Sequence, residues 1–172
     1  MLDQHFRDLM ASVCAPVSVV TAVDDDGPHG ATVSSLASLS LSPALLSIAL
    51  GTRSNLLERV LATNRFGVNV LSGAQDDVAA TFATRGGDRF SGVQWSLSGG
   101  LPRLDDVAGW ATCELRQTVE AGDHLLLIGA VTYASSMPRP PLVYGHRTFG
   151  THSQFATRRR PGIVDQISAC AS

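Results

Sequence analysis

The sequence predicts a mainly β fold with short helices (α+β), rolled into a closed antiparallel barrel. Two observations carry this: about six β-type segments stand against three short helical ones, and no regular β-α-β alternation links them. Length adds a third, since 172 residues make one domain able to bury a core without disulfides or metals.

The elements follow in order. Phe6, Leu9, Met10 and Val13 recur at helical spacing over residues 3–14, with Asp3 as N-cap and Pro16 as the stop. Residues 16–23 are rich in β-branched side chains, and Asp24-Asp25-Asp26-Gly27 turns the chain. A second strand is predicted from Gly30 to about Leu41, and a third over residues 44–50. Ser54 then caps a helix with Leu56, Leu57, Val60 and Leu61 on one face and Glu58 and Arg59 on the other. Residues 66–71 return as a strand, and 76–84 form a short helix ended by Arg85-Gly86-Gly87. Residues 89–107, with Gly92, Gly99, Gly100 and Pro102, read as loop. Two long strands, 110–119 and 124–134, form a hairpin around residues 120–123. Pro138, Pro140 and Pro141 bracket a loop before Leu142-Val143-Tyr144. The domain is expected over residues 1–153. The tail 154–172, with Arg158-Arg159-Arg160, is expected to be a flexible end or an arm on a partner subunit.

Composition removes several function classes. A net charge of −2 and pI near 6.2 leave no basic footprint for nucleic acid. All thirteen basic residues are Arg, which GC-rich coding explains more simply than function, but Schiff-base and P-loop lysine chemistry is excluded. Cys14, Cys113 and Cys170 are far apart and odd in number, fitting neither a disulfide scaffold nor a zinc site. Cys14 and Cys113 are expected in the core. The charged N-terminus is no signal peptide, and the longest apolar run, 44–50, is too short for a bilayer. A soluble, cytoplasmic protein with no membrane contact is expected. No GxGxxG follows a strand, and there is no GxSxG, HExxH or paired His/Cys spacing. His29, His146 and His152 fall in loop-like positions and are expected to be solvated.

Three segments could carry chemistry. The first, residues 30–40, places small hydroxyl residues on both faces, which would let a flat ligand approach the backbone. On periodicity alone, a solvent-exposed Ser-rich edge strand is the simpler explanation. The second is Gly51-Thr52-Arg53-Ser54-Asn55, where a helix N-terminus, hydroxyls and one Arg would suit a phosphate, or Ser54 merely caps. The two segments flank one strand and can converge on a single ligand. The third is Gly122-Asp123-His124, either a turn with a surface His or a polar group at a barrel rim.

In this order and spacing the segments resemble the flavin reductase-like family, the reductase components of two-component flavin monooxygenases. The resemblance covers about residues 5–150. It rests on Gly30-Ala31-Thr32-Val33-Ser34-Ser35, Ser38-Leu39-Ser40-Leu41-Ser42-Pro43 and Phe66-Gly67-Val68-Asn69-Val70-Leu71. Phe82-Ala83, Arg89-Phe90, Trp95, Gly100-Leu101-Pro102, Gly122-Asp123-His124 and Gly129-Ala130-Val131 complete it. It implies an FMN-binding split barrel that dimerises, with flavin near the subunit interface. It further implies that Thr32, Val33, Ser34 and Ser35 lie along the isoalloxazine, while Ser38, Thr52, Ser54 and Asn55 approach the ribityl phosphate. Phe82 and Arg89 would flank the outer end, where an adenylate would extend in FAD. His124 would act against the nicotinamide of NADH or NADPH, with Tyr144 a further candidate for the same pocket. A monooxygenase would receive the reduced flavin. Where the family often has a double proline, this chain reads Ser42-Pro43-Ala44, and Pro43 is expected to preserve the turn. A split barrel carrying flavin or haem without nicotinamide turnover, or a member redirected to a specialised biosynthetic reaction, remains an alternative.

Overall fold

The computed structural model describes residues 2–84 and 86–152. Its elements run α1 (Leu2–Ala11), β1 (Ala15–Pro16), β2 (Ser18–Asp24), β3 (Gly27–Val33), β4 (Ala37–Leu41) and β5 (Ala44–Gly51). Then come α2 (Asn55–Thr63), β6 (Arg65–Val70), α3 (Asp76–Ala83), β7 (Trp95–Ser98) and β8 (Leu101–Leu104). The series closes with β9 (Gly109–Ala121), β10 (His124–Ser136), β11 (Leu142–Gly145) and β12 (Thr148–Thr151).

Seven strands form one antiparallel sheet in the order β3-β2-β6-β9-β10-β5-β4. β3 and β4 are consecutive in sequence yet stand at opposite edges. Laid flat, six strand spacings would part them by about 29 Å. The connection through residues 34–36 reaches only about 14 Å. The sheet must therefore roll up, and Ser35 marks where its edges meet. Its hydroxyl accepts from Ala49 N–H at 2.9 Å and donates to Ala49 O at 3.2 Å. No ladder joins β3 to β5, so the barrel is split along that line rather than closed throughout. The single strand expected from 30 to 41 is accordingly two strands with the crossing between them.

β2 explains its own sequence. Val20 and Ala22 face one apolar cluster with Ile48, Val60, Phe66 and Leu127. Val17 and Val19 face a second with Leu71, Phe82, Leu104 and Trp110. A strand covered on both faces reads as a continuous β-branched run. α2 packs Leu56, Leu57 and Val60 over the first cluster, while Leu61, expected on that face, is 42% exposed. Its last turn ends at Asn64, a left-handed residue whose N–H bonds Val60 O.

Other expectations are corrected. Twelve strands stand among the described residues instead of about six, because β1, β7, β8, β11 and β12 are pieces of four residues or fewer in satellite sheets. Within the expected loop 89–107, β7 and β8 form a hairpin turned by Gly99 and Gly100, both at positive φ. Buried Asn69 pins it, donating to Pro102 O and accepting from Leu104 N–H, and Thr21 also donates to Pro102 O. Cys14 is exposed rather than in the core. Cys113 is buried, which pushes its thiol up to about 12. Cys170 and the 154–172 tail lie outside the described residues, as does Arg85. Asp3 sits inside the first turn of α1, and no residue of that helix is buried. Arg147 ties it down through Asp8 at 2.8 Å. No helix among the described residues is long and apolar enough to cross a membrane.

Candidate active site

β3 is an edge strand, so along its open side alternate backbone N–H and C=O groups have no ladder partner. Its two faces look at different helices. Thr32 donates to Ala79 O of α3 at 2.7 Å, and Gly30 lies under Phe82. His29 and Ala31, on the other face, look toward α2. Between this edge, the start of α2 and the segment after α3 lies a cavity of about 820 Å³, within the range of small-molecule sites.

Its lining has four parts. Pro28 to Thr32 of β3 form the floor, and Gly51 to Leu56 bring in the N-terminus of α2. Phe82 and the segment from Gly86 to Phe90 form a third wall, with Asp123 and His124 at the hairpin tip. Seven residues singled out from the sequence line it: Thr32, Thr52, Ser54, Asn55, Phe82, Arg89 and His124.

Each is placed by a physical device. Ser54 stands at the N-cap of α2, but its hydroxyl makes no capping bond. The first intrahelical contact runs from Leu57 N–H to Ser54 O, so the N–H groups of Asn55 and Leu56 precede the helix ladder. These donors and the positive end of the helix dipole suit an anion, and Arg53 adds a full charge beside them. Thr52 donates its N–H and hydroxyl to Asp123 O, at 2.9 and 3.2 Å, locking the hairpin tip to the α2 lead-in. His124 Nδ1 bonds Asp123 Oδ1 at 2.7 Å, leaving Nε2 about 4.0 Å from where a side chain on Gly51 would begin. The His124 bond and charge, with Arg53 nearby, hold the Asp123 carboxyl below its ordinary range. Arg89 donates to Gly30 O at 2.6 Å, fastening the segment after α3 onto β3. Phe82 is 1% exposed, its ring edge-on to Phe90 at 5.0 Å, so it shapes the wall rather than offering a free face.

The remaining candidates do not reach the cavity within one chain. Val33 is buried, Ser35 is spent on the barrel seam, and Ser34 lies exposed beyond the end of β3. Ser38 pairs with Leu46 on β4, and Tyr144 packs against Phe149 on β11. His29, expected to be a solvated loop residue, also lines the cavity. It lies on β3 instead of a loop, and its Nε2 is 3.0 Å from Asp24 Oδ1. The DDDGPH spacing was its signal, since a hairpin turn brings residues 24 and 29 onto one face. Burial raises the Asp24 carboxyl, but the bonds from His29 and the Asp26 N–H, with the charges of His29 and Arg59, lower it overall.

This arrangement can hold a flat heterocycle against a strand edge with an anionic tail at a helix start. The model of the flavin reductase like domain matches residues 10–153. The chain belongs to the flavin reductase-like family. A protein of Rhizobium meliloti named "Probable flavin reductase" is 44% identical over 128 residues, 73% of this chain and 41% of that one. The reductase component of the flavin-dependent trigonelline monooxygenase of Acinetobacter baylyi is 36% identical, covering 90% of this chain and 50% of its own. The chain thus spans about half the length of these curated relatives. Among solved structures, the NADH:FAD oxidoreductase of Streptomyces globisporus C-1027, in complex with NAD and FAD fragments, superposes with a TM-score of 0.85. It is 29% identical, over 90% of this chain and 94% of that one. The split barrel is shared with these flavin reductases.

Proposed function

We propose that this chain is an NAD(P)H:flavin oxidoreductase that reduces FMN or FAD and hands the reduced flavin to a partner monooxygenase. The observation that carries it is the cavity between the open edge of β3 and the N-terminus of α2, with His124 at its mouth. The residues fit a flavin: Gly51 leaves open space, the unpaired edge of β3 borders the cavity, and α2 with Arg53 offers an anion site. When bound, flavin accepts hydride at N5 from C4 of the nicotinamide, so the redox chemistry belongs to the bound molecules.

The protein's part is placement and electrostatics. The edge of β3 around Gly30, Ala31 and Thr32 would line the ring and supply N–H groups toward its polar rim. Thr52, Ser54 and Asn55 would hold the phosphate. Arg89, already bonded to Gly30, would border the outer end. His124, oriented by Asp123, would direct Nε2 at the nicotinamide carboxamide. None of these roles needs a nucleophile. The uncovered apolar face of α1, with Phe6, Leu9 and Met10 exposed, supports a homodimer, and we place the protein in the cytoplasm.

The test is nicotinamide oxidation under air with each pairing of NADH or NADPH with free FMN or FAD. Oxidation that requires added flavin is expected with at least one pair. No oxidation with any pair, alongside tight retention of flavin or haem, would replace this reading with a ligand carrier.

A further inference from the structure

His29 is better held than a surface histidine needs to be. Its Nε2 meets Asp24 Oδ1 at 3.0 Å, the other oxygen of Asp24 meets Arg59 Nε at 2.8 Å, and Arg59 Nη2 meets Asp26 at 3.1 Å. The chain of contacts runs from the β2–β3 hairpin to α2 and back. Arg59 lies one turn beyond Asn55, so the two share a face of α2. The same face of β3 that carries His29 therefore opposes the first turn of α2, and His29, Asn55 and Leu56 line the cavity together.

This fixes which nitrogen is available. Asp24 is ionised and only accepts, so the hydrogen between it and His29 sits on Nε2. Nδ1 is what remains for a ligand. A neutral ring could only accept there, whereas a protonated ring donates. Toward an anion seated on the N–H groups of Asn55 and Leu56, only the donating form of the ring would bond through Nδ1. The charged groups linked to it are Asp24 and, through Asp24, Arg59 and Asp26, while Arg53, Asp88, Arg89 and Asp123 line the same cavity from the other elements.

We propose that His29 is a binding residue of the cavity, oriented by the Asp24–Arg59–Asp26 chain so that Nδ1 donates to the phosphate of the bound flavin. The proposal rests on the flavin reading of this cavity and specifies a phosphate ligand that faces α2 from the opposite wall. The imidazolium adds charge without adding bulk at the edge of β3, where the ring must lie.

The experiment compares FMN with riboflavin, which lacks the phosphate, by quenching of flavin fluorescence without nicotinamide. Wild type is expected to bind FMN more tightly than riboflavin. His29→Ala should weaken FMN by about tenfold or more, the worth of a charged hydrogen bond, while riboflavin changes by less than about twofold. His29→Gln should behave like His29→Ala, since its amide can keep the bond to Asp24 but carries no charge. Equal losses for both flavins, full rescue by Gln, or unchanged FMN binding would each overturn the proposal. A wild-type chain that binds neither flavin overturns the site reading itself and the assignment of His29 with it.

Discussion

At Gly30 the needs of packing and of the site meet in one missing atom. A Cβ there would lie 2.7 Å from Phe82 Cε1, and Phe82 is buried against Phe90 with no room to retreat. Gly30→Ala is expected to cost about 1–3 kcal/mol by overpacking, read from urea unfolding. Arg89 should lose its grip on the Gly30 carbonyl at the same time. His124 poses the opposite case, a polar side chain about half exposed and held by one bond to Asp123. His124→Ala should leave stability and the KM for flavin unchanged. The KM for nicotinamide should rise about tenfold, the worth of one hydrogen bond near 1.4 kcal/mol. Equal effects on both substrates would remove His124 from the nicotinamide side. The sequence marks this residue only through its motif, because alone a His beside a turn reads as surface. His29 is harder to read, since its partner Asp24 becomes a neighbour only once the hairpin forms.

At the scale of elements, the long strands and all three helices were legible from periodicity and punctuation. β9 and β10 follow their apolar runs, and the Gly122 turn falls between them. The break between β3 and β4 was not legible, because Ser34 and Ser35 continue the Ser/Thr-rich pattern on either side. What interrupts the strand is tertiary: the chain must cross from one sheet edge to the other. Likewise β7 and β8 are too short to show alternation, and their position depends on Asn69, buried in a distant strand. Ser35→Ala removes both bonds to Ala49 at the seam. We expect a loss of about 1 kcal/mol, with faster hydrogen exchange at Ala49 than elsewhere in β5. Uniform exchange along β5 would show that the seam is held by other contacts.

For the whole molecule, the rolled sheet is what makes a site possible. Its edges meet at Ser35 and leave the upper part of β3 open, and α2 and α3 cover the two faces without covering the edge. Stability in acid belongs to this scale too. The Asp24 carboxyl is held below its ordinary value in the fold, so the unfolded chain takes up its proton first as the pH falls. The contribution is therefore full above about pH 4 and is lost as the pH drops through the lower, folded value. Asp24→Asn should lower the urea midpoint most near neutrality, and the gap to wild type should narrow below about pH 4. A gap that is constant with pH would mean the carboxylate's charge contributes nothing. Net charge and composition show no basic footprint, but they carry no trace of the cavity, which is a property of the roll.

Reduction of flavin by nicotinamide is proposed to take place in this cavity, between β3 and α2. Gly51 lines it opposite His124 in the β5–β10 ladder, with room for a Cβ, and a larger side chain there would crowd the space proposed for the rings. The decisive measurement is anaerobic bleaching of free flavin by NADH or NADPH, with wild type and Gly51→Val compared at matched thermal stability. Wild type should bleach the flavin rapidly, and the variant should do so at least about tenfold more slowly, as expected when reacting groups are misplaced. Equal rates in the two proteins would place the chemistry elsewhere and contradict the account.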